Sequence, residues 1–220
     1  MNYFTQALAW IADSANASGS NGIWARSWEQ LWYTLLAVLL ASMIAIPLGY
    51  LVGHTGRGRG LVVASSGAAR ALPTLGVVTL LGLIFGIGLF APLVALVLLA
   101  VPSVLAGAYA GVEAIDPRTV DAARAMGMSE WQVLMRVEMP LGLPLLIGGL
   151  RSATLQVVAT ATLAAYVGAG GLGRFLFYGL KTQDYPQMLA ASMLVVAIAL
   201  IMEGVFEIAE RLVARRLRRT

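Results

Sequence analysis

Between residues 31 and 53 the chain reads LWYTLLAVLLASMIAIPLGYLVG, 23 positions without a charged side chain. At a rise of about 1.5 Å per residue, about 20 apolar residues carry a helix across a hydrocarbon core about 30 Å thick, so this run predicts a membrane-spanning helix. A polar loop, HTGRGRG, follows over 54–60. The next apolar run, 61–88, contains Arg70 and Pro73 and, at 28 residues, is too long for one straight crossing. Proline lacks the amide proton and its ring collides with the preceding turn, so the pattern predicts a lead-in helix, a break near Pro73 and a crossing to about residue 88. Further apolar runs at 90–112, 141–167 and 188–208 bring the expectation to an all-α integral membrane protein with about five crossings.

One polar interval interrupts this order. Residues 121–140, DAARAMGMSEWQVLMRVEMP, are rich in helix formers yet lie between two apolar runs. Asp116 and Pro117 suit an N-cap and a first helical position, and Gly127 suits the left-handed residue that ends a helix. Ser129 with Gln132 three residues on forms a capping-box pattern for a second helix. Two short helices at a sharp angle are therefore predicted, the second ending before Pro140. On the first, Ala122, Ala123 and Ala125 leave a low surface beside the charge of Asp121, so that a partner can come close.

Composition narrows the class. Hydrophobic residues make up 59% and charged residues 12% of the 220 positions, and the mean hydropathy is +0.81, a balance that soluble domains do not show. No cysteine is present, which excludes disulfides, thiolate metal sites and a cysteine nucleophile. His54 is the one histidine, so a histidine-cluster metal site is excluded too. The net charge of +4 comes from arginines at the ends of apolar runs, which reads as a topology signal rather than as nucleic-acid binding. With 54–60, 121–140 and the C-terminus on one side, that side holds ten of these basic residues and the other only Arg26, Arg174 and Lys181. Lys and Arg favour the cytoplasmic side, so the N-terminus is expected outside and the C-terminus inside.

The organisation expected is an extracytoplasmic or interfacial segment over 1–30, a permease domain over 31–210 and a basic cytoplasmic tail over 211–220. The N-terminal segment lacks the basic stretch and apolar core of a cleaved signal peptide. Its Trp10, Trp24 and Trp28, with Trp32, fit an interfacial aromatic belt, and a substrate-contacting aromatic is the other reading. The tail, with RRLRR at 215–219, suits anionic lipid, and Glu207 with Arg211 forms a helical i,i+4 pair.

Candidate chemistry is sparse. No glycine-rich loop ending in Gly-Lys-Ser/Thr occurs, so the chain does not bind ATP in the P-loop manner. Paired histidines, a serine elbow and a spaced carboxylate pair are missing as well, which argues against an intramembrane enzyme. YVGAGGLGRF at 166–175 holds four glycines; a tight re-entrant turn close to substrate and a plain flexible loop are both open. Arg151 lies eleven residues after Pro140, about 16 Å along an upright helix and near mid-membrane. Either it faces the interior and pairs with Glu203 or another acid, or it reaches back to the headgroups.

The spacing of DAARAMG, nine residues, then VEMP resembles the cytoplasmic signature of ABC importer permeases: Glu-Ala-Ala, three residues, Gly, nine residues, Ile-x-Leu-Pro. Asp121, Val137 and Met139 stand where that pattern has Glu, Ile and Leu. The resemblance implies the type I importer permease fold, with a cytoplasmic coupling element over about 114–140 between helices 3 and 4. It assigns ATPase docking to Asp121, Ala122, Ala123, Gly127 and Pro140. The segments 69–88 and 143–173, with GIWARSWEQLWYTL near the N-terminus, are similar to permeases for quaternary-ammonium osmoprotectants such as glycine betaine and choline. This likeness implies a non-catalytic subunit in a bacterial inner membrane, working with two ATP-binding cassette subunits, a second permease and an extracytoplasmic binding protein. ATP and magnesium would sit on the ATPases, and this chain would hold no cofactor. Candidate pathway residues are Tyr50, Pro73, Tyr109, Arg151, Tyr166, Gly170 and Gly171. An amino-acid importer, for methionine among others, shares the signature. A self-sufficient secondary transporter or channel is the reading from another class, but the repeated halves and deep acidic relays it calls for are not apparent.

Overall fold

The computed structural model describes residues 2–60, 62, 64, 67 and 72–217, the last two without their side chains. No strand occurs among the described residues. The helices are α1 (Tyr3–Ala12), α2 (Ser14–Ala17), α3 (Ile23–Thr55), α4 (Thr74–Phe85), α5 (Phe90–Glu113), α6 (Pro117–Ala125), α7 (Glu130–Val133), α8 (Met139–Thr160), α9 (Gly173–Thr182) and α10 (Tyr185–Leu217). A π-helical turn, Leu134–Glu138, joins α7 to α8, and a 3₁₀ segment, Ala161–Val167, follows α8.

Among the described residues, four stretches are long and apolar enough to cross a membrane: Ile23–Thr55, Phe90–Glu113, Glu130–Val167 and Tyr185–Arg215. In the place of the expected second crossing stands α4, an apolar helix of 12 residues. At 1.5 Å per residue it is about 18 Å long, short of a full hydrocarbon core. Pro73 is its N-cap and Gly86, at φ +88°, its C-cap, so the break near Pro73 falls where the ring chemistry places it. Of the predicted lead-in helix, residues 62, 64 and 67 are helical, and the rest up to Arg70 lies outside the described residues.

The first crossing starts at Ile23 rather than at residue 31. Its extra turns carry Arg26 and Glu29, which the charge-free run excluded. These two form an i,i+3 ion pair at 2.7 Å, so the charges are neutralised within the helix. The second half of the 121–140 interval also differs from expectation. The second short helix does not stop before Pro140; it runs through the π turn into α8. In that turn the Met139 N–H reaches the Leu134 carbonyl, five residues back, and the wider winding accommodates a following residue that has no N–H to give.

The chain divides into two compact units. One comprises Met1–Ala37, Leu72–Val97 and Thr154–Met202; the other Val38–Ala71, Leu98–Ala153 and Glu203–Thr220. In the first, a buried cluster of Val158, Leu172 and Ile198 is covered by Leu31, Phe175 and Leu194. There α1 is held by its rings: Trp10 meets Phe175 edge-on at 5.1 Å and Tyr3 meets Tyr185 at 5.8 Å. Trp10 therefore packs inward, whereas Trp24, Trp28 and Trp32, spaced by four, are exposed and suit an interfacial belt.

In the second unit, α5 touches α3 on one flank and α8 on the other through small residues. A methyl built on Gly49 would lie 2.6 Å from Ala108 Cβ, and one on Gly107 would lie 2.7 Å from Gly149 Cα. One on Gly111 would meet the Gly142 carbonyl at 2.6 Å. Without a hydrophobic drive between helices in lipid, such near-backbone contact supplies the dispersion energy that holds them. Large side chains such as Leu39, Met43, Leu83 and Leu200 point outward, as lipid-facing surfaces require.

Candidate functional site

The 116–138 element is ordered by its own caps. The Asp116 carboxylate accepts from the Arg118 N–H at 2.9 Å, and α6 then runs nine residues from Pro117. Gly127 takes φ +85°; its N–H donates to the Arg124 carbonyl and that of Met128 to the Ala123 carbonyl, closing the C-terminal turn. Ser129 and Gln132 complete the capping box, with the Ser129 N–H 2.9 Å from Gln132 Oε1. Asp121 and Ala122 are exposed, so they can be reached by a partner. Ala123 is buried and seats the helix on the rest of its unit instead. Sequence reasoning missed two apolar neighbours, Met126 and Trp131, which are 77% and 67% exposed. Large apolar side chains projecting from a capped surface helix are a signal of docking.

Beneath this surface runs a charge network. Arg124 donates to both oxygens of Glu130 at 2.9 Å and lies 3.6 Å from Asp121. Hydrogen bonding to Glu130 is the main cause that raises the Arg124 pKa further. Glu130 Oε2 is 3.3 Å from His54 Nε2, and Glu138 Oε2 is 2.6 Å from His54 Nδ1. Glu138 is buried. It occupies the one unconstrained position of VEMP, so the signature is silent about it; a lone acid inside an otherwise apolar tetrapeptide was the available signal.

Arg151 is paired, as one of its two readings expects, with Glu203 and also with Glu210. Its Nε donates to Glu203 Oε2 at 2.8 Å and its Nη1 to Glu210 Oε2 at 3.2 Å. The two acids are seven residues apart on α10, two turns along one face, and the guanidinium fork spans them. The exposed Arg211–Glu207 pair also forms.

In the other unit, three side chains of α3 hold the glycine-rich loop. Glu29 Oε2 accepts from the Gly171 N–H at 2.8 Å, Gln30 Oε1 from the Leu172 N–H at 3.3 Å and the Tyr33 hydroxyl from the Gly170 N–H at 3.3 Å. Gln30 also donates to the Val158 carbonyl at 2.8 Å. Gly168 and Gly171 have positive φ, which favours glycine at both, and a methyl on Gly170 would displace the Glu29 carboxylate. The loop is thus a turn clamped onto α3. Nearby, Trp10, Asn21, Arg26, Arg174, Tyr178 and Lys181 help line a cavity of about 720 Å³. The amide and acid of Gln30 and Glu29 sit at the start of an apolar run, a signal that a charge-free window discards.

The candidate pathway residues are divided between the two units. Tyr50, Tyr109 and Arg151 belong to one unit, and Pro73, Tyr166, Gly170 and Gly171 to the other. Tyr50 and Tyr109 are buried; Tyr166 is exposed, with its ring 5.6 Å from Phe177.

Long apolar helices, glycine-packed crossings and a capped helical dock between two spans define a membrane transport subunit built to work with partners. Residues 45–219 match the family of binding-protein-dependent transport system inner membrane components, and the chain belongs to it: it is the permease of an ABC importer. It is 29% identical over 169 residues to the glycine betaine/carnitine/choline transport system permease OpuCB of Bacillus subtilis, covering 77% of this chain and 78% of the relative. It is 31% identical to the carnitine transport permease OpuCD of Listeria monocytogenes, covering 74% and 73%. Among solved structures, a methionine ABC transporter, MetNI, in inward-facing conformations is similar, with 25% identity, a TM-score of 0.74 and coverage of 84% and 93%.

Proposed function

We infer that this permease imports a quaternary-ammonium osmoprotectant such as glycine betaine or choline, driven by ATPase subunits that dock on residues 116–138. The observation that carries the docking half is the pairing of exposed Asp121 with exposed Met126 and Trp131 on a surface fixed by caps at each end. The substrate half draws on relatives named for betaine, carnitine and choline transport. Two ATPases would bind two permeases, this chain and a second copy or paralogue, with a binding protein delivering substrate from outside. Nucleotide-driven closure of the ATPases would displace the docked helices and alternate access between two states. The dock and the basic tail would face the cytoplasm, following the positive-inside bias. Tyr50, Pro73, Tyr109, Tyr166, Gly170 and Gly171 remain the proposed pathway residues, and Arg151 a proposed fixed charge beside it.

Two measurements test this reading. The chain extracted in mild detergent should bring an ATPase subunit with it, and Asp121→Lys should abolish that association. In the reconstituted complex, ATP hydrolysis should be stimulated by binding protein loaded with betaine or choline. Stimulation by a methionine-loaded protein alone would replace the substrate assignment with an amino acid, and unaided transport by the isolated chain would remove the ATPase.

A further inference from the structure

His54 is the penultimate residue of α3, and both of its ring nitrogens face carboxylates. The neutral ring carries one N–H and can donate to one of them; only the doubly protonated ring donates to both. Those carboxylates stand at the two ends of the segment that leads from the dock to α8, Glu130 at the start of α7 and Glu138 at the end of the π turn. Through Glu130 the chain of contacts continues to Arg124 and then Asp121 on α6. Along Asp121, Arg124, Glu130, His54 and Glu138 each acid has a nitrogen-bearing side chain beside it and each of those stands between two carboxylates.

The helices this network reaches have little freedom to slide. Gly49 and Gly53 of α3 lie against Ala108 and Val112 of α5, and Gly107 and Gly111 of α5 lie against Gly149 and Gly142 of α8, at separations that exclude even one added methyl. Packed surfaces of this kind shift between discrete arrangements rather than deform, so a push on α6 is transmitted only where α6 is fastened to the slab. His54 is that fastening on the α3 side.

We propose that His54, clasped by Glu130 and Glu138, is the positioning residue through which the docking element drives the first membrane helix, so that its loss uncouples ATP hydrolysis from transport. This rests on the docking role of residues 116–138. The test is the complete importer in liposomes, with ATPase subunits, partner permease and loaded binding protein, in which substrate moved and ATP hydrolysed are measured together.

His54→Leu should still bring down the ATPase and hydrolyse ATP, but with about ten-fold less substrate moved per ATP, the size of a typical coupling between sites. His54→Arg, whose fork can donate to both carboxylates, should restore most of the ratio. Glu138→Gln should lower it as His54→Leu does, and combining the two should add little. A wild-type ratio in both His54→Leu and Glu138→Gln overturns the proposal. Parallel loss of association, hydrolysis and transport that arginine does not rescue also overturns it, since that is the pattern of a purely structural contact. If the wild-type chain binds no ATPase, it is the docking reading that fails, and the two failures are told apart at the first purification.

Discussion

Arg151 on α8 and Glu203 on α10 are joined by a hydrogen bond of 2.8 Å from Nε to Oε2, and Glu210 closes on the same guanidinium from two turns further along. Arg151→Gln should lower stability in detergent by about 2 kcal/mol, the order of a hydrogen bond to a charged group plus the unpaired acids left behind. Arg151→Lys should recover only part of this because a point charge cannot bridge both acids. Thermal unfolding of the purified chain reads the difference, and a melting point unchanged in Arg151→Gln would show that the trio is not a structural tie.

The hold of α3 on the glycine-rich loop predicts a local effect. Gln30→Leu removes the acceptor of the Leu172 N–H and should cost about 1–3 kcal/mol, since a buried donor is left unsatisfied. Amide hydrogen exchange at Gly170, Gly171 and Leu172 should speed up in this variant while α5 stays protected.

Helix contact through glycine predicts a sharp contrast between positions. Gly107→Ala places a methyl 2.7 Å from Gly149 Cα and should destabilise by about 1–3 kcal/mol, as overpacking does. Gly204→Ala, on α10, meets nothing within 4 Å and should be tolerated. Equal melting points for the two variants would contradict the packing described for α5 and α8.

At the dock, Trp131→Ala should weaken ATPase binding by about 10- to 100-fold, the range of a buried aromatic anchor at an interface. The isolated chain should melt as before, because Trp131 makes its contribution only when covered. A titration of ATPase subunit onto the detergent-solubilised permease, alongside a melt, separates the two effects.

Much of this molecule is legible in local rules because membranes enforce them. Apolar runs marked four of the crossings, and cap chemistry at Asp116, Gly127 and Ser129 marked the ends of the two short helices between them. What escaped was fixed by partners distant in sequence. The turns that carry Arg26 and Glu29 looked too charged to belong to a span, yet each charge is answered one turn away or by the loop 142 residues on. Glu138 looked like filler within VEMP; its meaning comes from His54, 84 residues earlier. The continuity of the helix past Pro140 was hidden because an α-helical ladder forbids it and a π turn allows it. For Arg151 the sequence leaves two readings open, pairing with an acid or reaching the headgroups, and the pair with Glu203 is the one that forms.

Seven residues, Ala161–Val167, are wound as a 3₁₀ helix between α8 and the clamped loop. That winding rises about 2.0 Å per residue against about 1.5 Å for an α-helix, so the segment is about 3.5 Å longer and about 140° further turned than the same residues would be in α form. Glu29, Gln30 and Tyr33 hold its far end at that length. The segment is a screw kept at one pitch by its end fitting, to which the Gly88 N–H on the Val167 carbonyl and the Arg174 Nε on the Ala169 carbonyl also contribute.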